Sequence, residues 1–326
     1  MPGSAISTFT DPYEYQNAIR ASTVQIFVSK PGTFTSNLTR IDLHRLWMQR
    51  SQETLGRVVH STLDKNRSTI FFLTDDQQPA IHQCRTELPA GDIMFHASGC
   101  ENYHRSFAEC RWGAMSLPPD DLVAAGRAIA GYDLISPTES HRIRPPPELM
   151  ARLLSLHKAA GQLAATVPDL LAHPEVARAL EQELVRTMVR CLTEGIAPEP
   201  DHHRHDRVPV MRRFEQVLKE NPDHPLYISE ICAAIGVADR TLRLHCTDYL
   251  RMSPQRYLWL RRMNLARRAL ALADPARTTV TEIATAQGFW ELGRFALSYR
   301  RLFGESPSTT LRSSPRLLAP HPALHV

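Results

Sequence analysis

The sequence predicts an α+β chain: a β-rich N-terminal part, a helical middle, and an all-α C-terminal part in which two similar helix pairs flank one long helix. Three observations carry that reading. Residues 23–117 divide into short runs of strand-forming side chains punctuated by turn residues; after Pro118 and Pro119 the apolar side chains recur at helical spacing; and segment 228–237 returns in altered form as 280–289.

The strand runs fall at residues 23–29, 37–49, 69–73, 80–87, 92–96 and 110–117. Alternation is clearest where Thr39, Ile41, Leu43, Arg45 and Trp47 trade places with Arg40, Asp42, His44, Leu46 and Met48. Lys30-Pro31-Gly32, Thr74-Asp75-Asp76 and Leu88-Pro89-Ala90-Gly91-Asp92 supply turns. Many short strands of this kind predict a small barrel or sandwich over residues 1–118. Residues 119–195 then read as helices. Asp120 is placed to cap one over 121–130, and another starts near Pro147. The most regular runs over 174–193, where Val176, Leu180, Leu184, Met188 and Cys191 recur at steps of four, four, four and three. Such a stripe packs on its own domain or forms a coiled dimer seam, and the second option gives this region a dimerisation role. Residues 196–206 have linker composition, and residues 313–326 read as a flexible, proline-bearing tail.

With 326 residues, 43% of them hydrophobic and 22% charged, the chain has apolar mass for more than one core. No run approaches the roughly 18 apolar residues of a membrane span, and the first residues lack a signal-peptide pattern. A cytoplasmic location with no membrane partner is therefore expected. Cys84, Cys100, Cys110, Cys191, Cys232 and Cys246 are far apart, with no Cys-x-x-Cys pair, which points to reduced thiols rather than a disulfide scaffold. The net charge of +4 conceals a division: from Arg207 onward there are 18 Lys+Arg and 10 Asp+Glu, whereas the preceding residues hold 20 and 24. A slightly acidic part is joined to a basic one, as when one domain meets a polyanion.

Each copy of the repeat opens with a hydroxyl residue suited to cap a helix, Ser229 or Thr281, and closes on a glycine suited to a left-handed turn, Gly236 or Gly288. Ile228, Ile231, Cys232 and Ile235 form the inner face of the first copy, and Val280, Ile283 and Ala284 that of the second. A second helix follows each glycine. Its seam is Leu242, Cys246, Tyr249 and Leu250 in one copy and Phe295, Tyr299, Leu302 and Phe303 in the other, both at i, i+4, i+7 and i+8. Both copies end on a Ser-Pro pair, Ser253-Pro254 and Ser306-Pro307. A short helix, a glycine turn and a second helix sharing an apolar seam make a helix-turn-helix, whose second helix can enter the DNA major groove. A helix expected over 254–273 joins the copies and carries Arg256, Arg261, Arg262, Arg267 and Arg268.

Across the C-terminal third the residues resemble the AraC/XylS family of transcription regulators. The resemblance lies in GVADRTL at 236–242, MSPQRYL at 252–258, RRMNLARRAL at 261–270, TVTEIATAQGF at 279–289 and YRRLFGESP at 299–307. GFWELGRFALSYRRLFGESP is similar to a branch that includes ethanolamine-operon regulators, and RIDLHRLW at 40–47 resembles the sensor domain of that branch. The resemblance implies a domain over 207–312 with two helix-turn-helix units reading successive major-groove segments of double-stranded DNA. It also implies a cupin-like barrel or sandwich that senses a small-molecule effector, a homodimer, contact with RNA polymerase, and activation more often than repression.

With the seam of the first recognition helix turned inward, 100° per residue places Arg240, Leu244, Thr247, Asp248 and Arg251 outward, flanked by Thr241 and Arg243. The same construction exposes Gly293, Arg294, Leu297, Arg300 and Arg301 on the second. Arg240, Arg243 and Arg294 are expected to reach bases, because an arginine can bond guanine O6 and N7 together; Arg300, Arg301 and Arg251 are expected to hold phosphates. Leu244 and Leu297 occupy matching outward positions where the family often has a polar side chain, and thymine methyl groups are the partners they suit. Two further departures from the family pattern are His245 and Cys246 in place of larger apolar residues, and Arg251 in place of a helix-ending glycine.

Enzymatic readings find less support. His44, His60, His82, His96 and His104 are candidate ligands for a metal-dependent cupin-like enzyme with an accessory DNA-binding domain, yet no His-x-His pair with a following Glu occurs. His202, His203 and His205 lie in the linker. Cys84, Cys100 and Cys110 lack the spacing of a DNA-repair methyl acceptor. No phosphate loop or nucleophile elbow is present. No catalytic residue, metal or cofactor is expected, and the sequence predicts an effector-responsive DNA-binding regulator, with a constitutive architectural DNA-binder as a further alternative.

Overall fold

The structure is a computed structural model that describes residues 2–197, 208–221 and 225–313. They form two compact units, the first made mostly of residues 1–207 and the second mostly of residues from 208 onward. The expected linker at 196–206 falls mostly outside the described residues, as do His202, His203, His205 and the tail beyond Ser313.

The first unit begins with β1 (Gly3–Phe9), α1 (Pro12–Ala18), β2 (Ser22–Val28), β3 (Ser36–Asp42), β4 (Trp47–Glu53), β5 (Arg57–Leu63) and β6 (Ser68–Leu73). Next come β7 (Ile81–Gln83), β8 (Thr86–Leu88), β9 (Ile93–Phe95), β10 (Glu101–Arg105) and β11 (Cys110–Leu117). The unit continues through α2 (Pro119–Ala130), β12 (His141–Ile143), α3 (Pro147–Thr166), α4 (Pro168–Ala172) and α5 (Pro174–Thr193). Two sheets result, ordered β1-β3-β4-β11-β6-β9-β12 and β2-β5-β10-β7-β8, and neither closes on itself. Of the two architectures the sequence allowed, the sandwich is the one formed.

Two expected strands are each split in two. Residues 37–49 turn back through a hairpin, with Asp42 opposite Trp47 and the Leu43 N–H donating to the Leu46 carbonyl at 3.0 Å. Nothing marked the turn, because residues 43–46 contain none of the usual turn formers and the alternation runs on across them. Residues 80–87 fold as the hairpin of β7 and β8, with Cys84 at φ +43°. The strands β1, β5, β10 and β12 were not expected from the pattern at all.

The larger sheet is covered on one face by helices. Met48, Ile70, Phe72, Met115 and Leu117 pack in one apolar cluster with Leu122, Leu153, Leu184, Met188 and Cys191 of α2, α3 and α5. The regular stripe on α5 is thus spent mainly on the unit's own core, with Leu184, Met188 and Cys191 buried and Leu180 half-buried. Burying each such side chain contributes roughly 1.5–3 kcal/mol. Proline occupies the first helical position of α2, α3, α4 and α5, where its fixed φ is already helical and its missing N–H is not needed. Consequently Asp120 lies inside the first turn of α2 rather than capping it, where an acid still meets the positive end of the helix.

One histidine is built into this layer. The His157 ring on α3 lies 3.1 Å through Nε2 from the Gln49 carbonyl and stands edge-on to Phe72. A Cβ at Gly113 would come within 2.7 Å of His157 Cε1, so β11 needs a glycine there. Burial, with the nearby Arg50 guanidinium, lowers the His157 pKa to about 3. On its opposite face the larger sheet meets the smaller one, with Phe71 of β6 against His104 of β10 at 5.6 Å between ring centres. Between the two sheets lies a cavity lined by side chains of both.

Candidate nucleic-acid interface

The second unit is all-helical: α6 (Val208–Glu220), α7 (Ile228–Ile235), α8 (Asp239–Leu250), α9 (Pro254–Leu272), α10 (Val280–Ala286), α11 (Leu292–Phe303) and α12 (Pro307–Arg312). Both helix pairs of the repeat are present, α7 with α8 and α10 with α11. The caps are shifted from their expected places. Helix α10 starts one residue before Thr281 and is capped by Thr279, whose Oγ1 accepts from the Glu282 N–H at 3.2 Å while Glu282 accepts from the Thr279 N–H at 2.8 Å. Helix α7 starts before Ser229, and the Glu230 carboxylate accepts from the Tyr227 N–H at 2.8 Å. The turns follow the expected glycines, Gly236 at φ +71° and Gly288 at φ +76°. Gly288 has a second constraint, because an added Cβ would sit 2.7 Å from Pro225.

Helices α8 and α11 are equal in length, 12 residues each. Their expected seams are buried: Leu242, Cys246, Tyr249 and Leu250 in the first, Phe295, Tyr299, Leu302 and Phe303 in the second. Each helix also ends on a residue of positive φ, Gly304 at +77° and Arg251 at +53°. Arg251 therefore occupies a left-handed position that glycine takes at far lower cost. The Ser-Pro pairs do the same work in both copies: Ser253 accepts from the Arg256 N–H at 3.3 Å to open α9, and Ser306 from the Thr309 N–H at 3.1 Å to open α12.

Opposite the seams, Arg240, Arg243, Leu244, Thr247 and Arg251 are exposed on the first unit, and Gly293, Arg294, Leu297, Arg300 and Arg301 on the second, while Thr241 is half-buried. Leu244 and Leu297 stand 47% and 53% exposed, so both copies present an aliphatic side chain to solvent at the same position. Two of the arginines carry acids on their own helix ends: Arg243 with Asp239 at 2.8 Å, and Arg294 with Glu291 at 3.1 Å. Hydrogen bonding to Asp239 raises the Arg243 pKa. Arg240, Arg300 and Arg301 form no ion pair among the described residues.

The arginines of α9 divide differently from expectation. Arg261 is buried and donates to the Leu218 carbonyl at 2.9 Å, tying α9 to α6 beside the Tyr257–Glu215 hydrogen bond of 2.7 Å. Arg262 lies 5.6 Å from the centre of the Phe289 ring, and Arg267 lies 5.5 Å from that of Phe303, with Glu305 at 3.7 Å. Arg262 and Arg267 are half-buried, so three of the five expected surface cations hold the helices together and only Arg256 and Arg268 are exposed. Sequence reasoning also passed over α6, and over Trp290, which stands 69% exposed in the turn before α11. A tryptophan between a glycine turn and a helix start was the available signal for the latter.

The histidine and cysteine candidates do not converge. Among the described residues no three His, Cys, Asp or Glu side chains group to hold a metal ion. All six cysteines are free thiols, and burial pushes Cys110 up to about 11 and Cys191 to about 12. Among the described residues no helix is long and apolar enough to cross a membrane.

Residues 231–313 match the family described as a helix-turn-helix domain. The chain is 33% identical over 174 residues to the "Probable thc operon regulatory protein" of Rhodococcus erythropolis, spanning 50% of this chain and 52% of that one. It is 30% identical over 103 residues to the XylDLEGF operon transcriptional activator 2 of Pseudomonas putida, spanning 32% of this chain and 66% of that one. The second unit is an AraC-type helix-turn-helix domain. The chain thus spans about half the length of the first of these relatives. Both relatives are named as regulators of operons, and such proteins are not enzymes. Among solved structures, that of the AraC-like transcriptional activator CuxR covers 79% of this chain and 94% of its own at 12% identity, with a TM-score of 0.42.

Proposed function

We propose that this chain is a sequence-specific transcription regulator that grips double-stranded promoter DNA with α8 and α11 in successive major-groove segments. The observation that carries the reading is the duplicated geometry: two helices of equal length, each with its seam buried and an outer face of arginine and leucine. Arg240, Arg243 and Arg294, near the starts of their helices, are assigned to base edges; Arg300, Arg301 and Arg251, near the ends, to phosphates. Thr241, Thr247 and Gly293 complete the contact face. For Arg243 and Arg294 the pairing acids are part of the reading, since each guanidinium must share or leave its carboxylate to bond a guanine. Leu244 and Leu297 are assigned to thymine methyl groups.

The cavity between the sheets of the first unit is the proposed seat of a small-molecule effector. A regulator of this kind works in the cytoplasm, as a homodimer that presents its DNA-binding domains beside RNA polymerase, and it performs no catalysis. Effector control is a coupling between two sites and requires that the effector prefer one of two states that differ in DNA affinity. The test is selection of bound genomic fragments by the purified chain, followed by binding assays on Arg240→Ala. Enrichment of a shared sequence, with relaxed preference at particular base pairs in the variant, supports the reading. Uniform recovery of all fragments overturns it in favour of an architectural binder.

A further inference from the structure

We propose that the cavity between the two sheets takes an uncharged, largely apolar small molecule carrying one hydrogen-bonding group, such as a hydroxyl or an amide, which meets His104 and Thr69. This rests on the reading of the cavity as the effector seat and specifies the chemistry of its occupant.

The walls are apolar: Val24, Ile26 and Val59 from the smaller sheet face Phe71, Trp112 and Ala114 from the larger. Phe71 stacks on Trp112 at 5.6 Å and on the other side contacts His104, so an aromatic wall runs across both sheets. The cavity itself is small, about 60 Å³, and opens to solvent at its mouth.

The charges that line the cavity are already matched. Glu53 is fully buried, takes the Arg57 guanidinium, and also accepts hydrogen bonds from the Tyr15 hydroxyl at 2.7 Å and from the Trp112 indole N–H. Arg57 in turn donates to Ser106 Oγ at 2.9 Å. The third charged side chain, Arg20, is paired with Asp42. The two imidazoles are neutral: burial lowers His96 to about 4, and His104 falls well below its usual value through burial and the nearby Arg57. An ionised ligand would leave water without a counter-charge to receive it, which disfavours its binding.

Two polar groups remain unanswered. Both His104 ring nitrogens and Thr69 Oγ1 are buried without a hydrogen-bond partner among the described residues, and both side chains line the cavity. Thr69 is 7% exposed. A neutral imidazole offers one donor and one acceptor, and a hydroxyl offers both, so these groups suit an alcohol, phenol or amide. Buried polar atoms of this kind are normally satisfied.

Full-length protein titrated calorimetrically with benzyl alcohol, toluene, benzoate and benzylammonium separates the possibilities. Benzyl alcohol should bind at least about tenfold more tightly than either ion, and more tightly than toluene. His104→Phe should reduce benzyl alcohol to the level of toluene, and the near-isosteric Thr69→Val should weaken it without unfolding the chain. Ala114→Trp, which fills the cavity, should abolish binding of all four. If benzoate or benzylammonium matches benzyl alcohol, or if toluene does, or if both polar variants bind as the wild type does, the proposed ligand class is wrong while the cavity remains the effector seat. If none of the four binds, or if binding survives Ala114→Trp, the cavity reading falls as well.

Discussion

Replacing Arg300 and Arg301 together by alanine gives the sharpest test of the proposed DNA face. Both side chains are exposed in the last turn of α11 and have no ion pair among the described residues, so no internal partner discounts their charge. The buried residues beside them, Tyr299 and Leu302, are left untouched. Each phosphate contact contributes about 0.9 to the slope of log affinity against log salt on B-DNA, so losing two lowers that slope by about 1.8. Between 50 and 200 mM salt the wild type should therefore lose roughly 12-fold more affinity than the variant. Fluorescence anisotropy with one labelled duplex at several KCl concentrations measures both slopes, and because the effect is independent of sequence any duplex serves. Parallel slopes for the two proteins would show that the end of α11 does not lie along the backbone. For Arg240→Ala the expectation is the converse, with discrimination at one base pair falling by about 1–3 kcal/mol. If the salt dependence tracked Arg240 and the base preference tracked Arg300, the assignment of roles along the helices would be inverted.

Other expectations follow from single observations. Asp239→Asn with Glu291→Gln removes the acids held by Arg243 and Arg294, and should raise affinity for any duplex in low salt, an effect that fades at high salt; unchanged binding at 50 mM would argue that neither arginine approaches DNA. Leu244→Ala and Leu297→Ala should each reduce preference for thymine over uracil at one position of a selected site, since the two bases differ only in the methyl group, by about 1 kcal/mol or less. Equal loss on both bases would count against a methyl contact. Arg251→Gly relieves a left-handed arginine and should raise stability by about 1 kcal/mol, read as a higher urea midpoint; a lower midpoint would mean that the arginine side chain gives more than its backbone costs. His157 and His96 have folded-state pKa values near 3 and 4, below the unfolded value of about 6.5, so the unfolded chain binds more protons as the solution is acidified. Their contribution is therefore intact above about pH 6.5 and declines toward pH 4, by up to about 1.4 kcal/mol per pH unit for each. His157→Gln should flatten that part of the urea-midpoint profile, and an identical profile would refute the linkage.

The C-terminal unit was the more legible half. Its seams recur at a helical period strong enough to fix which faces turn inward, and the same angular construction placed Arg240, Leu244, Arg294 and Leu297 on the outside, where they lie. What the period could not reveal was partnership. Arg261, Arg262 and Arg267 look in sequence like further surface cations, but a long arginine can reach a helix-end carbonyl or an aromatic face from a half-buried position. In the N-terminal unit the difficulty lay with turns. The chain reverses at 43–46 without proline, glycine, asparagine or aspartate, and β10, written ENYHR, shows a polar residue at nearly every step because its inward side chains include Asn102 and His104 at the cavity. A cavity wall built from polar residues hides a strand from any reading based on apolar alternation.

The duplication also allows the two recognition helices to be compared position by position. With Leu242 matched to Phe295, the outward residues pair as Arg240 with Gly293, Thr241 with Arg294, Leu244 with Leu297, Thr247 with Arg300 and Asp248 with Arg301. Only the leucines agree. In the proposed complex the two halves would share one methyl contact while differing elsewhere, so the operator should be two unlike half-sites rather than a direct repeat. The charge is also unevenly placed. Helix α8 has Arg240 near its start and, at its end, one exposed arginine, Arg251, next to the half-buried acid Asp248, which favours reading bases over gripping the backbone; α11 has glycine near its start and, near its end, two exposed arginines without an ion pair among the described residues, which favours grip. Discrimination should therefore come mainly from the first unit and salt-dependent affinity mainly from the second. Exchange of the outward residues between α8 and α11 tests this directly: the preferred half-sites should change places, and so should the larger share of the salt dependence. If the half-sites stayed in order after the exchange, sequence would be read through some other surface, and the buried seams would be all that the two copies have in common.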